Sequence, residues 1–473
     1  MPRALSASTS SGSRPLAFVL ALILSFTTAA GAQSPNPPQN TNNPPPGPNS
    51  PAQNSPQQPN APTPAPTLSL AQATALALKN HPQIATAQNL EFAASQRVIE
   101  QRAAYYPAIF GEITGSAAGH ADRIGAGILP ASSLFNREGD GFQINQLVTD
   151  FGRTKNLVAN SSLLAQAASQ ATTATRYGVL LGVNQAYYEV LEAQAFIRVA
   201  NETIKARQTV ADQVGALAKA QLKSQLDVTF AQVNLSEARL MLIRSQDALK
   251  RAYADLARSL GDDQETDYQL VEDVTPPEPP PTPEALIDQA IQNRPELAEY
   301  RLQLEAARRF EAAEHDLQRP VVSAIAVGGA LPYFDSPTGT PVPKEYEALG
   351  VNVSIPLFTG HLYQARRTEA HFETLAQTQR LRDLQQQVER DVRSRWAATT
   401  TAYQRIPVSQ ELVNQTRLAL NLSQGRYNLG LASIVEITQA ELNLTQAEIE
   451  NVNAVYDYKN TYAALQYTIG ALR

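Results

Sequence analysis

The chain has no cysteine at all. That excludes disulfides, thiolate metal sites, a cysteine nucleophile and an N-terminal lipid attached through cysteine. It has no cluster of basic residues either, and its formal net charge is -6. Both argue against nucleic acid, which asks for a positive face. Beyond the N-terminal region no run of about 18 consecutive apolar residues occurs, so any membrane-spanning structure must be a β-barrel rather than a helix. Catalytic signatures are missing too. The five histidines, His81, His120, His315, His361 and His371, lack H-E-x-x-H or similar metal-ligand spacing. No glycine-rich phosphate loop follows a strand and opens a helix, and Gly111-x-x-x-Gly115 reads as small residues in a strand. The expectation is a protein that is not an enzyme, with no catalytic, metal or cofactor-binding residues and no cofactor.

What is present is a long chain of 473 residues, 43% hydrophobic and 17% charged, enough for a folded structure larger than one ordinary domain. Arg3 and Arg14 precede the apolar run Leu16 to Phe26, and Ala30-Gly31-Ala32 is a small-residue cleavage site, so 1–32 reads as an export signal. Residues 33–66 are almost entirely Pro, Asn, Gln, Ser, Thr and Ala. Such a segment cannot bury a core and reads as a disordered linker.

The remainder repeats itself. Ser224, Asp227, Ala231, Asn234, Leu235, Ala238, Tyr253, Leu256 and Gly261 correspond to Ser433, Glu436, Ala440, Asn443, Leu444, Ala447, Tyr462, Leu465 and Gly470 at a constant offset of 209 (433 − 224). Nearer the start of each half, Ala77, Asn80, Pro82, Ala85, Ala93, Ala94 and Pro107 correspond to Ala290, Asn293, Pro295, Ala298, Ala306, Ala307 and Pro320 at an offset of 213 (295 − 82). The unit is far longer than a solenoid repeat, so these are two halves, 67–261 and 283–473. The acidic, proline-rich stretch 262–282 connects them.

Within each half the texture changes in the same order. An alanine-rich amphipathic helix stops at Pro107 or Pro320. Strands follow, at Ala108 to Ala118 and Gly141 to Val148 in the first half, and at Val321 to Ala330 and Tyr346 to Leu357 in the second. In the last of these Leu349, Val351, Val353 and Ile355 point one way and small or polar residues the other, as a strand between lipid and water requires. Two long helices come next, Arg153 to about Val214 and His361 to about Ser423, the second broken at Pro407. About 60 helical residues span about 90 Å, so each must lie against helices of similar length. Each long helix turns and returns, over Leu226 to Leu260 and Ile434 to Ile469. Four strands cannot close a barrel, because known spanning barrels start at about eight. An open sheet with an apolar face leaves unpaired edges. Several copies sharing one barrel, continued by a coiled-coil tube, solve both problems.

The opening Leu68-Ser-Leu…Ala77-Leu-Lys-Asn-His-Pro82, its second copy, the Phe-Gly turns after the strands, and Tyr427-x-x-Gly430…Ser433-x-x-Glu436…Ala440-Glu-Leu-x-Leu444…Gly470 carry a resemblance. The sequence resembles the TolC-like outer-membrane efflux proteins, from Thr67 to Arg473. The resemblance implies a fold that is mainly α with a β-barrel portion, in a homotrimer. The four strands of each chain would join a shared twelve-stranded barrel in outer-membrane lipid, continued by an α-helical tunnel through the periplasm. It implies an exit duct for efflux or type I secretion, docked to a periplasmic adaptor and an inner-membrane transporter. The alternative from another class is a structural coiled-coil periplasmic protein without a pore.

The helical hairpins turn at Gln213 to Ser224 and Gln424 to Ser433, farthest from the strands. In a trimer Asp227 and Glu436 would form rings of carboxylates, which favour cations. By motif, the resemblance places a periplasmic aperture at Glu436 and Tyr427, with Gln439 where a second acidic ring often stands. Acidic residues in a first helical turn are also favoured by the helix dipole alone. Ala216, Leu217, Ala218, Leu429, Gly430 and Leu431 are small or apolar where a plain turn would be polar, which predicts adaptor-docking tips. Ala218 and Gln221 replace the Tyr and Gly of the second turn, so the two halves are expected to gate unequally.

Overall fold

A computed structural model describes residues 66–116, 123–124, 132–133, 137–262, 268–272, 278–334 and 343–472. The export signal 1–32 and all of the linker but Pro66 lie outside them. Twelve principal elements follow in order. Helices α1 (Leu70–Asn80) and α2 (Pro82–Arg102) lead into strands β1 (Ala108–Ser116) and β2 (Arg137–Thr149). Then come α3 (Arg153–Lys219) and α4 (Gln225–Leu260). The second half repeats the order with α5 (Pro283–Asn293), α6 (Pro295–His315), β3 (Val321–Phe334), β4 (Glu345–Ser354), α7 (Leu362–Asn428) and α8 (Ile434–Thr468).

The four strands form one antiparallel meander, β1-β2-β3-β4, in which the inner pair joins the two halves of the chain. Register sorts its side chains into two faces. Ile109 pairs with Ile144, Ile144 with Ala326, and Ala326 with Leu349, so one face is predominantly apolar, with Gln146 near its helix end and Asp140 and Glu347 toward the other. Phe110, Gln143 and Val327 line up on the other face, which also carries Asn145, Ser323 and Asn352. Leu349, Val351 and Val353 are 84%, 71% and 53% exposed, on the apolar face. Ile355 is also exposed, but the strand ends at Ser354, so it lies one residue beyond the ladder.

Both long helices have 67 residues, about 100 Å of helix. They end later than the sequence pattern suggests, so Tyr427 and Asn428 form the last turn of α7 rather than part of the loop. Nor does Pro407 break α7. A single proline costs one backbone hydrogen bond, and the packing of α7 against α8 along its length outweighs that.

Near the sheet the helical wall runs α2-α3-α6-α7; farther away it runs α4-α3-α8-α7. Thus α4 continues α2, and α8 continues α6, across two equivalent joints. At each joint a helix-ending glycine sits in the left-handed region, Gly261 at φ 68° and Gly470 at φ 70°. A Cβ on Gly261 would lie 2.9 Å from the Asn80 carbonyl oxygen, and one on Gly470 2.9 Å from that of Asn293. Backbone meets backbone there, and only glycine combines that closeness with that φ. The Asn-x-Pro step it meets turns the chain from α1 to α2 and from α5 to α6, with Pro82 and Pro295 at the first helical position.

A collar wraps the wall at these joints, fastened by aromatic donors. The Tyr187 hydroxyl lies 3.0 Å from the Leu68 carbonyl and 2.6 Å from that of Val271. Tyr253 donates to the Tyr268 carbonyl at 2.8 Å, Tyr458 to that of Glu278 at 2.7 Å, and Trp396 to that of Pro281 at 2.7 Å. Residues Thr67–Leu68 and Gln269–Leu270 pair as a short parallel ladder in the same collar. Two apolar cores lie beneath it, around Val183, Tyr187, Val190 and Leu256 in one half and Val388, Val392 and Leu465 in the other.

Candidate aperture at the helix-hairpin tips

The two hairpin tips share one backbone design. Each long helix ends with paired hydrogen bonds, Leu222 N–H to the Leu217 carbonyl (2.9 Å) and Gln221 N–H to that of Ala218 (2.9 Å). The second tip has Leu431 to Arg426 (2.8 Å) and Gly430 to Tyr427 (3.0 Å). This is the Schellman arrangement, which needs one left-handed residue. Gly430 supplies it at φ 76° and Gln221 at φ 62°. The missing glycine of the first half therefore changes strain, not shape.

The two carboxylates occupy equivalent positions but different bonds. Asp227 closes a capping box: its Oδ2 accepts from the Ser224 N–H (3.1 Å) and hydroxyl (3.0 Å), and its own N–H donates to Ser224 Oγ (3.2 Å). Ser433 makes no side-chain cap. Glu436 instead pairs with Arg426 Nε at 3.0 Å, and Arg426 also reaches the Leu431 carbonyl at 3.3 Å. The first half lacks this pair because Leu217 stands where Arg426 does (426 − 209). Gln439, one turn along α8, is exposed and donates to Asn443 at 2.9 Å.

Tyr427 is 3% exposed, packed among Val210, Val214, Leu420, Ile434 and Ile437. Its hydroxyl is buried without a hydrogen-bond partner among the described residues. Burial, then the Asp227 charge, raises its pKa, and Lys223 Nζ lies 3.9 Å from the ring centroid. Gln213 donates to Asn428 at 2.9 Å and Asn234 to Thr438 at 2.9 Å, so the hairpins of the two halves are tied together just above the tips. Of the residues expected to dock, Ala216, Gly430, Leu429 (76%) and Leu431 (66%) are exposed, while Leu217 and Ala218 are half-buried in the last turn of α3.

Leu222 (69% exposed) and Val435 (60%) belong to the same tips, although neither stands out in its own stretch of sequence. The repeat offset held the signal: Leu222 is the counterpart of Leu431 (431 − 209), and Leu226 of Val435. Equally unannounced is a buried pair above the tips. Arg207 and Glu441 are each 5% exposed; Arg207 donates to the Asn234 carbonyl at 2.7 Å and stands 3.6 Å from Glu237. Burial raises the Glu441 pKa, and Arg207 pulls it partly back. Among the described residues no group of three or more His, Asp or Glu could hold a metal ion, and no helix is long and apolar enough to cross a membrane.

Comparison with known proteins gives the geometry its context. The sequence profile of the outer membrane efflux protein family matches residues 74–262 and 286–471. The chain is 26% identical over 319 residues to the outer membrane protein TolC of Vibrio cholerae, covering 65% of this chain and 71% of that one. It is 27% identical over 428 residues to the protein CyaE of Bordetella pertussis, covering 86% and 84%. The crystal structure of the outer membrane protein VceC of Vibrio cholerae superposes with a TM-score of 0.74 at 18% identity, over 85% of this chain and 96% of that one.

Proposed function

The chain belongs to the outer membrane efflux protein family, and from that premise we propose that it is a passive exit duct. It stands in the outer membrane with its helical tunnel in the periplasm. Residues 1–32 are its export signal, 33–66 a linker, 67–261 and 283–473 the two repeats, and 262–282 the connector within the collar. The observation that carries the reading is the sheet. Four strands with one predominantly apolar face and two unpaired edges are stable only if that face meets lipid and the edges meet other copies. Three copies make the twelve-stranded barrel, with Leu349, Val351, Val353 and Ile355 toward lipid. The same apolar face argues against the pore-free coiled-coil reading.

The helical wall supports three-fold closure as well. Its open sides carry unpartnered apolar stripes, Phe230, Val233 and Leu240 on α4 and Val408, Leu412 and Leu422 on α7. Head-to-tail, α4 of one copy meets α7 of the next. The tips then ring the periplasmic end, with Asp227, Tyr427, Glu436 and Gln439 at the aperture. Leu222, Leu429, Leu431 and their neighbours offer an apolar surface to a periplasmic adaptor, through which an inner-membrane transporter supplies the energy.

The test is conductance in a planar bilayer. The wild-type protein conducts ions, and a folded protein that never conducts would sink the reading. Glu436→Ala removes the anchor of Arg426 and is expected to raise conductance. Tyr427→Phe is expected to raise it too if the hydroxyl, buried between the two hairpins, helps hold the tips closed. Unchanged conductance in both would leave these residues as packing groups only.

A further inference from the structure

Where sheet gives way to helices, the protein has a cavity of about 450 Å³ lined by Phe151, Lys155, Arg309, His315, Asp316 and Arg319. Its direction follows from helix periodicity. Lys155 precedes Tyr187 by 32 residues (187 − 155), about nine turns of α3, so it shares the face on which Tyr187 holds the collar. On α6, Arg301 donates to the Ile291 carbonyl of α5, and His315 follows 14 residues later (315 − 301), about four turns on. The cavity therefore opens on the collar side of the wall, the outside in the duct reading. It lies away from both open edges of the chain, because Phe151 follows β2 and Arg319 precedes β3, the two inner strands.

Most of its charges are held in place. Asp316 is 7% exposed and accepts from Asn156 at 3.1 Å and from Arg319 Nε at 3.1 Å. Arg319 also donates to the Phe151 carbonyl at 2.7 Å. Arg309 stands 3.5 Å from Glu305, and His315 3.7 Å from Asp316. Lys155 has no ion-pair partner among the described residues, so three cations, two of them held by carboxylates, face two carboxylates and the rim is positive. Exposed aromatics stand at the same level: Tyr105 (49%), Tyr106 (71%), Phe151 (49%) and Phe358 (82%). Aromatic girdles mark the height at which a barrel leaves hydrocarbon for headgroups.

We propose that this cavity binds the phosphate of an anionic phospholipid headgroup in the inner leaflet of the outer membrane. Lys155, Arg309 and Arg319 would meet the phosphate, and Phe151 the start of the acyl chains. The inference rests on the outer-membrane duct reading. It adds three equivalent headgroup sites per trimer, which fix the height of the barrel in the bilayer.

The test is lipid retention by the detergent-purified protein, followed by native mass spectrometry, with phosphatidylglycerol and phosphatidylcholine supplied in equal amounts. Phosphatidylglycerol is expected to be retained preferentially. Lys155→Ala and Arg309→Ala, singly and together, are expected to weaken that retention roughly fivefold for each charge removed, and Lys155→Arg to restore it. Both side chains are exposed, so the variants should fold, and an unchanged melting midpoint checks that. Equal retention of the two lipids, or a double variant that still prefers phosphatidylglycerol, overturns the proposal. So does inorganic phosphate that binds the wild type while vesicles containing phosphatidylglycerol do not. Conductance of the same variants is expected to be unchanged. A wild type that never conducts would overturn the duct rather than this site.

Discussion

At the scale of single residues, the left-handed positions carry most of the meaning. Gln221 and Gly430 hold equivalent tip positions, yet only one of them has a Cβ to strain. A side chain in this region costs about 1–2 kcal/mol, and glycine loosens the unfolded chain by about 0.4–1 kcal/mol. Gln221→Gly should therefore stabilise by about 0.5–1 kcal/mol, read as a higher urea midpoint. Gly261→Ala and Gly470→Ala should destabilise by about 1–3 kcal/mol each, since the new Cβ also meets immovable backbone. Glycine was visible in the sequence at both joints as part of the repeat. What it touched was not, because Asn80 and Asn293 lie far from Gly261 and Gly470 along the chain. Arg207 and Glu441 make the same point: nothing in the local sequence distinguishes a buried charge on a long helix from a solvated one.

At the scale of the element, α3 is the helix around which the wall is built, in contact with α2, α4, α6 and α8. Its carboxylates feel that crowding. Burial first, then the charges of Asp457 and Glu189, pushes the Glu192 pKa from 4.5 up to about 7. Between those values the folded chain keeps a proton that the unfolded chain has lost. Stability therefore falls as pH rises through that window, and the full penalty is present above it. Glu192→Gln should raise the melting midpoint at pH 8 and leave it unchanged at pH 4, measured by circular dichroism. An equal gain at both values would mean that packing, not ionisation, is responsible. The lengths of α3 and α7 were largely legible in their apolar stripes. Their ends were not, because the final turns carrying Leu217, Ala218, Tyr427 and Asn428 pack against the neighbouring hairpin and extend each helix past where its own pattern fades.

At the scale of the whole molecule, the proposed trimer makes the stripe on α4 and the stripe on α7 into one seam. Phe230→Asp or Leu412→Asp should each reduce the trimer to monomers in mild detergent, seen by light scattering, without melting the helices of a single copy. Both side chains are more than two-fifths exposed within one chain, at 42% and 46%, so their loss costs the chain little on its own. A variant that remains trimeric would move the seam elsewhere. Loss of helicity along with the trimer would mean that the wall cannot stand without its neighbours.

The sequence by itself determined the duplicated order of helix, strand hairpin, long helix and helix. Periodicity, proline stops and a constant repeat offset are local or arithmetic properties, written along the chain. It also determined that four strands would need company, since barrel closure is a matter of counting. The tertiary structure alone decided that the equivalent acids differ, with Asp227 capping its own helix and Glu436 held by Arg426. It alone buried Tyr427 between two hairpins and set Lys155 beside Arg309 and Arg319. Those facts depend on which helix lies beside which, and side chains far apart along the chain meet only after the helices have packed.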